Sequence, residues 1–143
     1  AHYDAFCGSI GQARLRADQS LTLSPAPSYL EWSYHSIIRF LCGDYEGALE
    51  AYDHAHGVVP ILPAWRAATL FYLGETKMAR EEADRFANGL RSFWVGQSPP
   101  TDEAVARWVL QAHPITVPER WDALRHGLRG AGLPVVGIVQ LSA

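Results

Sequence analysis

The sequence predicts an all-α fold: an antiparallel helix-turn-helix solenoid finished by a C-terminal helical cap. Three observations lead to that expectation. Gly8, Gly43 and Gly74 recur at intervals of 35 and 31 residues, and each is followed five residues later by an alanine, Ala13, Ala48 and Ala79. Pro25 and Pro60 are also 35 apart, each 17 residues after its glycine. Between these marks the apolar residues follow helical periodicity.

Each unit has a mechanical reading. "FCGSIGQA" (Phe6–Ala13), "LCGDYEGA" (Leu41–Ala48) and "YLGETKMA" (Tyr72–Ala79) are three copies of one turn. The glycine ends a helix, because it takes the left-handed conformation without penalty. Ser9 and Asp44 follow directly and suit the N-cap of the next helix. The alanine lets two helices approach closely, and the proline prevents further helix. A unit of this kind buries its apolar face only against its neighbours. The first unit has only Ala1–Cys7 before its glycine, so its first helix is truncated. The chain has no initiator methionine, Met78 being its single Met, and is expected to begin inside a longer protein.

The period, the early Trp32, the Cys-Gly or Leu-Gly turn, the alanine after it and the closing proline resemble the tetratricopeptide repeat. The middle unit, Ser28 to Pro60, matches best: Gly43-Asp44-Tyr45 forms the turn, and Ala48, Tyr52 and Ala55 take the small, large and small positions of the second helix. His35 and Ser36 depart from the family's Leu-Gly pair, and Phe86 stands where a small residue is usual.

"GQSPP" (Gly96–Pro100) is the sharpest break, dividing repeats over 1–96 from a capping pair over 97–134. Val105, Trp108, Val109 and Ala112 share one helical face, with Asp102 and Glu103 at its start where carboxylates favour the helix dipole. In the next helix, Thr116 and Glu119 have capping-box spacing around Pro118, and Trp121, Leu124, Leu128 and Ala131 form the buried stripe. Gly132 and Pro134 end it. This pair is expected to cover the open end of the stack. The apolar, β-prone tail 135–143 reads as a flexible end or as a segment packing on a partner chain. The stretch His113–Pro134, "HPITVPERWDALRHGLRGAGLP", resembles the end of tetratricopeptide-bearing C-terminal regions of bacterial class III adenylate cyclases and related regulators. That resemblance implies a catalytic domain N-terminal to this chain. Nothing here matches the cyclase's metal-binding carboxylates or nucleotide pocket.

The rest of the chemistry points away from catalysis. A net charge of −3 disfavours nucleic acid and anionic membranes as partners. No apolar run reaches the ~20 residues of a membrane span, and no leader pattern opens the chain. The cysteine pair Cys7 and Cys42 occupies one repeat position, where neighbouring helices stand ~10 Å apart, too far for a disulfide. Buried thiols and a reduced, cytoplasmic setting are expected. His54 and His56 point to different sides of a helix, so they cannot share a metal, and no histidine has a partner at ligand spacing. The glycines form neither G-x-G-x-x-G nor a phosphate loop. "KMAREEADR" (Lys77–Arg85) reads as a solvated helix face. Phe93 and Trp94 read as core packing between the repeats and the cap, or as an exposed anchor. No catalytic, cofactor-binding or metal residue is expected.

The expectation is therefore a protein-protein interaction and regulatory module, part of a larger signalling protein. The alternative is a homodimerisation module controlling an attached catalytic domain. In the tetratricopeptide family the first helix of each repeat lines the inner groove. The resemblance thus implies partner-binding residues Leu30, Ser33, Ile37, Phe40 and Leu41 in the middle unit, and Ala68, Phe71 and Tyr72 in the third. These lack the Lys, Asn and Arg with which chaperone-binding members clamp a terminal carboxylate. An apolar groove suits an amphipathic helix or hydrophobic peptide, either another domain of the parent or a second copy of the chain.

Overall fold

The computed structural model describes residues 6 and 8–141. Seven helices run through them: α1 (Ile10–Leu23), α2 (Tyr29–Leu41), α3 (Tyr45–Ala55), α4 (Leu62–Tyr72), α5 (Thr76–Ser92), α6 (Asp102–Gln111) and α7 (Pro118–Gly130). No strand occurs among the described residues, and the chain is all-α as predicted. The truncated first helix, and with it Cys7, lies outside the described residues but for Phe6.

The helix boundaries follow local chemistry. Gly43 and Gly74 adopt φ of +77° and +82°. Past each of them the chain doubles back: Asp44 N–H reaches the Arg39 carbonyl and Glu75 N–H the Leu70 carbonyl, both at 2.9 Å. The Asp44 carboxylate then caps α3 by accepting from Gly47 N–H at 3.0 Å. Two of the predicted caps do not form. Ser9 makes no side-chain cap bond, and α7 is preceded by Val117 rather than capped by Thr116, whose N–H turns away to the Phe6 carbonyl at 3.1 Å. A capping box occurs instead at α2, where Ser28 and Glu31 exchange bonds of 3.2 and 2.6 Å.

Turns of three residues join α2 to α3 and α4 to α5, so each pair packs side by side as an αα-hairpin. Ala13, Ala48 and Ala79 are fully buried, which is the close approach predicted for them. Arg39 ties the first hairpin to α1: it pairs with Asp44 at 2.9 Å and Asp18 at 3.4 Å, and its Nε donates to His35 Nδ1 at 3.3 Å. Phe40 meets Trp65 edge-on at 5.3 Å, and Tyr45 stacks on Tyr72 at 4.4 Å, which joins the two hairpins through aromatic contact.

Of the C-terminal helices, α7 packs on the last hairpin. The main partner of α7 is α4, and it touches α5 and α6 only lightly. At the crossing, a Cβ on Gly127 would lie 2.7 Å from Ala68 Cβ, so glycine is what allows this approach. The tail follows the same course. Val135 and Ile138 are buried, and Gln140 Nε2 donates to the Ile115 carbonyl at 2.7 Å. These contacts tie the described part of the tail to its own chain, while Val136, Val139 and Leu141 stay exposed. One apolar cluster runs from Phe6 to Ile138 through every helix.

Candidate interaction surface

The predicted groove residues split into three kinds. Ser33, Ile37, Phe40, Leu41 and Ala68 are buried, and the Ser33 hydroxyl is spent on the Tyr29 carbonyl at 2.8 Å. Phe71 and Tyr72 are half-buried beneath α7. Phe71 lies against Gly130 and, at 5.5 Å, the His126 ring, while the Tyr72 hydroxyl donates to the Ala123 carbonyl at 2.7 Å. Only Leu30, 47% exposed, faces solvent. The structure thus corrects the open inner groove: on α4 it is already filled by the chain's own α7. Trp121, Leu124 and Leu128 of α7 are buried, and each buried side chain of this size contributes ~1.5–3 kcal/mol. Removing α7 would forgo an amount comparable with the ~5–15 kcal/mol that holds a domain together. It is a structural element, not a displaceable ligand.

The open apolar surface lies on α5. Glu82, Arg85, Phe86, Gly89, Leu90 and Phe93 follow helical spacing and form one wall of a groove of about 630 Å³, whose other wall is Gly57, Pro60 and Pro63. Gly57 takes φ +68° and Pro63 lies in the first turn of α4, so turn chemistry shapes that wall. The groove continues into a polar end lined by Tyr52, Asp53 and Arg66. There the Glu82 carboxylate is buried between Arg66 Nη1 at 3.2 Å and Arg85 Nη1 at 3.1 Å. The solvated reading of Lys77–Arg85 fails at this residue, and Glu82's place on the stripe with Ala79, Ala83 and Phe86 was the available signal. At the other end Phe93 is 86%, Trp94 50% and Val95 100% exposed. The core-packing alternative for Phe93 and Trp94 is corrected, and they stand out as an apolar knob. Arg91 anchors its base by bonding the Pro100 carbonyl at 3.0 Å and the Asp102 carboxylate. Trp108, expected on the buried stripe of α6, is 42% exposed and stacks on Phe86 beside the groove.

The titratable groups serve packing. Burial pushes His35 and His113 below the ordinary histidine range and lifts the free Cys42 thiol above its usual value. His54 stacks on Trp32 at 4.4 Å, and His56 meets Tyr29 at 4.7 Å with the rings tilted by 53°, so the two rings are held by different neighbours. Tyr72 is pushed up to about 12, by burial first and by Tyr45 second. Among the described residues no group of three potential ligands is placed to hold a metal, and no helix is long and apolar enough to cross a membrane. No family model matches the chain, and no curated protein or solved structure does.

Proposed function

We propose that this chain is a protein-protein interaction module built of tetratricopeptide-like helix pairs. In this reading it is the C-terminal, cytoplasmic, regulatory part of a larger bacterial signalling protein such as an adenylate cyclase, and it carries no chemistry of its own. The observation behind the proposal is the apolar groove along α5 with the exposed Phe93-Trp94-Val95 knob at its end. Monomeric proteins rarely leave contiguous apolar surface of this kind uncovered unless something binds there. The groove replaces the inner face of α4, which α7 occupies. Its apolar floor suits an amphipathic helix, and its Glu82–Arg85 end adds polar selectivity at the rim.

The test supplies in trans the domain encoded upstream in the parent reading frame and reads amide hydrogen exchange in this chain. Slowed exchange over residues 82–95 is expected. A reading frame with no upstream domain, or exchange unchanged over that stretch, overturns the reading.

A further inference from the structure

The joint between α1 and α2 is held by small residues and charge. Within α1 the buried residues are Ala13 and Ala17, and its Ser9 N-cap makes no side-chain bond. Two alanines contribute little apolar area. Ile10 packs at the edge of the core, and two ion pairs cross the joint: Arg14 with Asp44 and Asp18 with Arg39, both at 3.4 Å. The other side of the joint is firm. α2 starts in the Ser28 capping box and buries Ile37, Ile38 and Phe40.

Between these two helices lies His35 of α2, 3% exposed. Its Nδ1 accepts from Arg39 Nε at 3.3 Å. A guanidinium has no acceptor, so Nδ1 must keep its lone pair, and the ring is neutral with its proton on Nε2. Nε2 is buried without a hydrogen-bond partner, and the Ala17 carbonyl of α1 faces the ring without closing a bond. The charges around this point are balanced. Arg14 and Asp18 come from α1, Arg39 from α2 and Asp44 from the turn into α3, two cations against two carboxylates. A proton on Nδ1 would turn the acceptor into a donor facing the Arg39 donor, and would leave one positive charge in excess. Burial first, and Arg39 with it, hold the ring below the ordinary histidine range against the opposing pull of the Ala17 carbonyl and Asp18.

We propose that this joint is an acid-sensitive latch, in which a proton on His35 lets α1 lift from α2 while the helices behind it stay packed. The weaker side gives way, because α1 has two buried alanines to lose and α2 has its core residues. Lifting α1 admits water to the ring, which then titrates as a free histidine does. Opening takes up a proton that the closed joint refuses, so it is favoured as pH falls. The latch is independent of the groove on α5.

The experiment is amide hydrogen exchange of the whole chain across pH, corrected for the intrinsic rate at each pH. From about pH 7.5 to about pH 5.5 the opening constant of residues 13–23 should rise by up to about tenfold, since the open ring titrates near ~6.5. Amides of α3 and α4 should change much less. His35→Gln keeps an acceptor for Arg39 Nε and takes up no proton, so its α1 exchange should stay flat. His113 is the control, because it too is held neutral and lies 5.1 Å from Phe6, ahead of α1. His113→Gln should keep the rise. A wild-type α1 that does not respond to pH overturns the proposal, as does an equal response in α3 and α4. So does a rise that survives His35→Gln or disappears in His113→Gln. Should His35→Gln fail to fold, the wild-type imidazole resonances decide: the His35 ring must titrate where α1 opens, and a ring still neutral at the acid end of the opening transition overturns the latch.

Discussion

Replacing Gly127 with valine tests the central packing feature, the seat of α7 on α4. A Cβ at Gly127 would lie 2.7 Å from Ala68 Cβ and 3.2 Å from Ala68 Cα. Ala68 has no flexible side chain to swing away, so the helices themselves must separate. Overpacking of this kind costs ~1–3 kcal/mol. Valine recovers only a few tenths of a kcal/mol in helix propensity over glycine, leaving a net loss of about 1–2.5 kcal/mol. For a chain of this length each kcal/mol moves the melting temperature by roughly 3–4 °C, so a fall of about 3–10 °C is expected. Gly89→Ala is the control: its Cβ meets nothing, and removing an interior glycine should stabilise by ~0.5–1 kcal/mol. Both chains are melted at one dilute concentration, to keep association out of the comparison, and followed by far-ultraviolet circular dichroism. Opposite signs for the two substitutions are the expected result. A Gly127→Val chain that melts at or above the parent temperature would refute the seating of α7 on α4.

Three further outcomes follow from the same geometry. Changing Phe71 and Tyr72 together to serine should lower the urea midpoint sharply instead of merely weakening a partner, because these side chains lie under α7; an unchanged midpoint would return them to an open groove. Asp44→Ala removes the cap on Gly47 N–H and the pair with Arg39, an expected loss of about 1–2 kcal/mol, whereas Asp44→Asn keeps the cap and should lose less in the same denaturant titration. Stability should fall on both sides of neutrality: the folded chain holds fewer protons on His35 and His113 than the unfolded one, so stability declines as pH drops below about 6.5. The tyrosines act in the opposite sense. Tyr52 and Tyr72 are held protonated, so stability declines as pH rises above about 10, and urea midpoints measured across pH check both limbs.

Much of the helix map was legible in the sequence, because it is written in near neighbours. Gly43 and Gly74 mark their helix ends through their own backbone freedom, Asp44 caps a residue three positions away, and Ala48 and Ala79 are small because a paired helix joined by a short turn lies against them. Even the missed cap at Ser28 and the buried place of Glu82 were readable, since each depends on residues within one helical turn. The partner surface was not legible. Ala68, Phe71 and Tyr72 have the same apolar character whether they line an open groove or lie under another helix. What decides between these is the path of a segment some 50 residues further along. Gly127 and Gly130, which read locally as weak helix positions, admit α7 onto α4 only once the two helices cross, and Val135 and Ile138 follow it into the core. Phe93 and Trp94 show the reverse. Their composition suits a core, but the anchored bend at Arg91 and Pro100 turns them outward. Apolar character states that a side chain will be covered, and only the crossing of helices distant in sequence decides whether the chain itself supplies the cover.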